Sequence, residues 1–227
     1  MTFALLSVFL IPTICTPLVY FVGKKSPKAA AIFVALIALV NIGLILTTVP
    51  AVFNNINHRY TESYTWIPTI LNTKFTLFVD GISSSVALIS LVLIAVASLY
   101  SINYMAGKKH LPVYYALLCL LSVGLVGVFL TSNMLLFYFC WELMLVPAYF
   151  IIGTWGYRES YKAAFKLFIF THAGAVFVLL GIGAIYMTTG ATDMFTIAGN
   201  AANPNLLASF PDMAKWILIA LTAGFAV

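Results

Sequence analysis

Apolar residues in this chain come in long unbroken runs. They neither alternate, as in a half-buried strand, nor keep to one stripe, as in a soluble helix. The runs cover about Thr2–Val22, Ala29–Phe53, Gly81–Met105, Leu111–Leu130, Asn133–Gly153 and Tyr161–Thr188. Each has roughly the 20 residues that a helix needs to cross a bilayer core. A seventh run begins near Met213 and reaches Val227, about fifteen residues against the roughly 20 required. The pattern predicts an all-α fold, a polytopic membrane helix bundle of about seven spans. Residues 1–227 read as a single transmembrane domain, incomplete at its C-terminal end.

The breaks between runs are informative. Asn54 to Lys74 is polar and mixed, with aromatics and Pro68, and reads as an ordered extramembrane loop with the character of a hairpin. Asp80 precedes Gly81-Ile82-Ser83 and suits the N-cap of the third span better than a catalytic role. Thr131-Ser132-Asn133 is a tight uncharged turn, and Ala191 to Asp212 is a polar loop without Lys or Arg. The first run resembles a signal peptide in length, but it lacks a basic leader and an A-x-A site and reads as a retained helix.

Composition agrees with the pattern. The chain is 63% hydrophobic and 7% charged, far below the roughly 25% charged residues of soluble domains. It is an integral membrane protein, with the lipid bilayer as its first partner. The net charge of +5 is spread over short turns, not gathered in a stripe, and is no signature of nucleic-acid binding. Lys24, Lys25, Lys28, Lys108, Lys109, Arg158 and Lys162 fall in alternate turns, whereas the opposite loops hold Arg59 and Lys74, with Lys215 at the start of the last run. The positive-inside rule then gives a multi-pass protein of the cell membrane with its N-terminus outside. Cys15, Cys119 and Cys140 are far apart in apolar runs and read as buried thiols. With no CxxC pair, P-loop or dinucleotide fingerprint, the chain is expected to hold no cofactor and no metal.

One carboxylate stands inside an apolar run. Glu142 lies roughly 14 Å along Asn133–Gly153, near the bilayer midplane. Insertion scales charge about 3 kcal/mol for an acid at that depth, so intramembrane acids are functional candidates by default. The plainer reading is a neutral acid bonded to a neighbouring helix. Pro147 in the same run removes one backbone hydrogen bond and is expected to kink the helix near Glu142. In the sixth run, Lys166 and His172 are candidate relay groups. They are six residues apart, about 120° around a helix, and do not share a face. An imidazole near mid-membrane suits proton exchange near neutrality, or a plain hydrogen bond to another helix. Lys166 can also snorkel to the basic surface.

The motif FYFCWELMLVPAYFIIGTWG, Phe137 to Gly156, resembles the antiporter-like subunit M, or chain 4, of respiratory complex I. The resemblance extends to KLFIFTHAGAVFVLLG (Lys166–Gly181), FVDGISS (Phe78–Ser84) and LTAGFAV (Leu221–Val227). It covers the whole chain but only about the N-terminal half of the family's length. It implies a partial complex I antiporter-like fold and a proton-translocating, non-redox subunit of an NADH-quinone oxidoreductase-type translocase. Such a subunit couples electron transfer to proton movement through a buried Glu–Lys switch, with Glu142 as the acid. The isolated chain is then expected to catalyse nothing. Its partners are other membrane subunits, with a quinone used by the complex but not bound here. In the family the lysine partner lies on the seventh helix, at a break followed by a proline, and this sequence stops just before that place, which suggests a truncated or partial sequence. The same motif occurs in subunits of multisubunit sodium/proton antiporters and membrane-bound hydrogenases, which stand as the alternative. A non-enzymatic structural or assembly protein is a further one.

Overall fold

The computed structural model describes residues 3–56, 58–67, 73–201 and 211–226. In chain order the elements are α1 (Ala4–Lys25), α2 (Pro27–Asn54), β1 (Arg59–Ile67), β2 (Thr73–Asp80), α3 (Gly81–Tyr104), α4 (Leu111–Leu130), α5 (Met134–Trp155), α6 (Ser160–Thr189), α7 (Met194–Ala201) and α8 (Pro211–Ala226). Among the described residues, α1 to α6 are long and apolar enough to cross a membrane. Helix α8 has 16 described residues. The expected bundle is therefore observed, with spans displaced from the hydropathy runs by a few residues.

Local chemistry sets the boundaries. Ser26 ends α1 and starts α2: its N–H donates to the Val22 carbonyl, and its hydroxyl accepts from the Ala29 N–H. Pro27 fits the first position of α2, where its missing N–H is no loss. Asp80 is the N-cap of α3, as expected, in a reciprocal box. Its carboxylate accepts from the Ser83 N–H at 2.7 Å, and the Ser83 hydroxyl accepts from the Asp80 N–H at 2.9 Å. Helices α1 to α4 pack around one another, and α5, α6 and α8 are then added in turn.

Two findings refine the loop assignments. The segment after Asn54 is an antiparallel hairpin, but its second strand runs on to Asp80, beyond the Lys74 limit read from polarity. Phe75, Leu77 and Val79 recur with the period of two of a half-buried strand, in a stretch that polarity assigns neither to the loop nor to the third span. The second polar loop contains α7, capped by Asp193, whose Oδ2 accepts from the Thr196 N–H and hydroxyl at 3.0 Å each. At eight residues this helix is shorter than the roughly 11–18 residues over which a helical period can be read from sequence. Pro68 and residues 202–210 lie outside the described residues.

The hairpin is tied to the bundle. Leu77 forms an isolated bridge with Thr131, and the Ser132 N–H donates to the Thr76 carbonyl. On its other side the buried Glu62 reaches the N-terminus of α1. Its carboxylate accepts from the Leu5 and Leu6 N–H groups at 3.2 and 3.1 Å, and from the Tyr60 and Tyr64 hydroxyls at 2.9 Å each. The residue before α1, Phe3, offers no side-chain cap, so Glu62 supplies the cap from another element. The hairpin, the α4–α5 turn and the α6–α7 loop thus gather at one end of the bundle with the start of α1. The basic turns lie at the other end, as the alternation of charge requires.

Candidate proton-transfer site in the membrane

Helix α5 carries the acid, and its position is set at both ends of its contact with α4. At its start, the Asn133 side-chain oxygen caps the helix by accepting from the Leu135 and Leu136 N–H groups at 2.9 and 3.1 Å. The same side chain donates to the Lys74 carbonyl and the Thr192 hydroxyl, joining three loops. Further along, a methyl at Gly124 of α4 would stand 2.7 Å from the Met144 backbone nitrogen. Gly127 likewise faces Cys140 too closely for any side chain. The missing Cβ atoms let α5 lie against α4, two residues from Glu142. The helix is continuous through Pro147, whose side is buried.

On the opposite side of α5, Glu142 meets α6. Its Oε2 lies 3.2 Å from His172 Nδ1. Its Oε1 is buried and has no hydrogen-bond partner among the described residues. The Tyr138 hydroxyl, one turn earlier, faces the same carboxyl. The His172 ring lies nearly parallel to Phe168, with centroids 5.5 Å apart and planes 6° apart. Trp141, next to the acid, stacks on Phe225 of α8 at 5.2 Å.

The structure therefore joins two of the three sequence-predicted residues. His172 touches Glu142 across the α5–α6 contact. Lys166 is exposed and makes no ion pair among the described residues, whereas Lys162 pairs with Glu159 at 3.0 Å near the basic surface. The three cysteines are unpaired thiols, with Cys119 and Cys140 buried. The Glu142–His172 contact serves either protonation state: Nδ1–H can donate to a carboxylate, or a carboxyl O–H can donate to a bare Nδ1. One proton between these groups can change sides with little movement of heavy atoms.

Residues 131–227 match the family described as NADH:quinone oxidoreductase/Mrp antiporter, transmembrane. The chain is 32% identical over 216 residues to the NADH-quinone oxidoreductase subunit M of Rickettsia prowazekii, covering 92% of this chain and 42% of that protein. It is 30% identical over 201 residues to an NAD(P)H-quinone oxidoreductase chain 4 of Microcystis aeruginosa, covering 86% of this chain and 37% of that protein. Residues 131–227 thus carry the antiporter-like membrane domain of the complex I/Mrp family, and the chain as a whole resembles subunit M and chain 4 of these complexes. It spans about two fifths of the length of these curated relatives. The fold agrees: a chain in the Mrp complex from Dietzia sp. superposes with a TM-score of 0.76 at 22% identity, over 97% of this chain and 23% of that one.

Sequence reasoning missed four contributors to the site. Asn133 looked like part of an uncharged turn, although Asn directly before an apolar run is a helix-cap signal. Gly124 and Gly127 sit three apart in an apolar helix, so they share one face and leave it bare for a close neighbour. Phe168 carried no sequence signal, because its role depends on which way α6 is rotated.

Proposed function

We propose that this antiporter-like subunit translocates protons within a complex I-like quinone oxidoreductase, with Glu142 as the group that loads and releases the proton. The observation that carries this reading is the asymmetry of the carboxyl: Oε2 is held by His172, while Oε1 is buried and without a hydrogen-bond partner among the described residues. A buried polar atom without a partner is costly, and such atoms mark switching or catalytic groups. In a low dielectric a lone carboxyl keeps its proton, and a carboxylate beside an ammonium gives it up. The lysine implied by the family resemblance would bind at Oε1, and its approach and withdrawal would drive release and uptake. His172 passes the proton to or from Oε2, and Lys166 stands nearer the basic surface as a further relay. The chain itself holds no redox group in this reading. Other membrane subunits supply the coupling, and the electron-transfer partners bind the quinone. The basic turns face the cytoplasm, and the N-terminus faces outward.

A second reading has one specific observation in its favour, the superposition on the Mrp complex. There the same acid would exchange protons against a cation without electron transfer. Glu142→Gln in the full-length protein within its assembled complex tests both. Gln preserves size and one acceptor oxygen but carries no exchangeable acid proton. Vesicles should show electron transfer on addition of donor and quinone, with proton uptake sharply reduced in the variant. Unchanged proton uptake would remove Glu142 from the mechanism. Sodium-driven proton movement without any response to donor would favour the antiporter reading.

A further inference from the structure

The contact between α5 and α6 carries more than the acid and the imidazole. On α5, Tyr138, Glu142 and Tyr149 lie within about 40° of one another around the helix. On α6, Tyr161, Phe168 and His172 share a stripe of the same width. The stripes face each other. The Tyr149 hydroxyl faces that of Tyr161 near the end where the chain carries Arg158 and Lys162. The α3–α4 basic turn lies at this end too, since the Trp155 ring N–H donates to the Lys109 carbonyl at 3.0 Å. Deeper in, about 10 Å along α5 from Tyr149, Glu142 meets His172 at 3.2 Å. Groups able to pass a proton therefore stand at the basic surface and at the midplane along a single seam.

Phe168 stands between them. Its ring packs on Tyr149 at 5.3 Å on one side and lies parallel to His172 at 5.5 Å on the other. A phenol passes a proton by accepting one on oxygen and releasing its own. An imidazole takes one at one nitrogen and gives one from the other, so each ends in its starting charge state. A phenyl ring can do neither, and an apolar constriction also excludes the water that would bridge the gap. We propose that the α5–α6 seam is the proton path between the basic surface and Glu142, and that Phe168 is its barrier. Tyr161 and Tyr149 are the groups on the surface side, and His172 is the group on the membrane side. The seam is open along one flank, where the His172 side chain is 49% exposed. A ring displaced toward that flank would let one or two waters join Tyr149 to His172.

This inference rests on the reading of Glu142 as the proton-loading group, and the test separates the two. The full-length protein in its assembled complex is reconstituted in vesicles, and passive proton leak is measured without electron donor. Phe168→Ala should raise the leak severalfold, and Glu142→Gln in the same chain should abolish the increase. A leak unchanged in Phe168→Ala, or one that persists in the double variant, overturns the proposal. If Phe168→Ala does not assemble, the isosteric pair Tyr149→Phe and Tyr161→Phe decides. Removing both hydroxyls should slow coupled proton uptake with assembly unchanged, and undiminished uptake overturns the seam. If Glu142→Gln stops pumping while all of these leave leak and pumping unaltered, the seam fails and the role of Glu142 stands. If Glu142→Gln pumps normally, the underlying reading fails.

Discussion

Glu62 and Glu142 differ in how their carboxylate oxygens are used. Glu62 is buried with both oxygens satisfied, by two helix N–H groups and two phenols. Glu142 keeps one oxygen unpartnered among the described residues. Saturation fits a clamp, and the open oxygen fits exchange. Hydrogen bonds to a charged group contribute about 1.5–3 kcal/mol each, so Glu62→Gln should destabilise the protein by about 2 kcal/mol or more. The expected result is a lower midpoint of thermal unfolding in detergent. Burial, followed by the hydrogen bond to Glu62, pushes the Tyr60 and Tyr64 phenols up to about 12. The stabilisation linked to these raised phenols is complete below about pH 10 and is lost as pH rises through about 12. An ultraviolet titration should show two tyrosines ionising near pH 12 that Glu62→Gln shifts downward. Normal phenol titration in the parent protein would contradict the clamp. Glu142 was legible from sequence as the one acid inside an apolar run. Glu62 was not, since a glutamate on an extramembrane hairpin reads as a solvated surface charge until the hairpin is folded against α1.

At the scale of elements, hydropathy runs located every spanning helix because a bilayer imposes a length that composition reports directly. Rotation about each helix axis was not legible, because α2, α4 and α5 are apolar all round and present no preferred face. That is why the pairing of Glu142 with His172, thirty positions apart, waited for the structure, and why Lys166 could not be placed beforehand. The α4–α5 contact depends on glycine, not on side-chain chemistry. Gly124→Ala puts a methyl 2.7–2.8 Å from the Met144 backbone, and forced overpacking costs about 1–3 kcal/mol. The expected outcome is a displaced α5, with weaker assembly and slower pumping together. Gly43→Ala in α2, where a methyl meets nothing within 4 Å, should leave both intact. Equal effects at the two sites would contradict the packing argument.

For the whole molecule, the parity of six spanning helices and the hydrogen bonds among loops give one end to the hairpin and the other to the basic turns. The charge rule adds which end faces the cytoplasm. A cysteine at Lys28 should resist an impermeant thiol reagent in intact cells, and one at Ala198, exposed on α7, should label. Thr192 in the same loop is 7% exposed and is a poor reporter. The reverse labelling pattern would invert the topology without altering the fold.

The central claim is that Glu142 gains and loses a proton during turnover. Infrared difference spectroscopy of the assembled complex reads this event on the carboxyl itself. The account predicts a protonated-carboxyl C=O band that appears and decays as electrons are supplied, shifts in heavy water, and is missing in Glu142→Gln. No such band in the parent complex, or the same band persisting in Glu142→Gln, would contradict it.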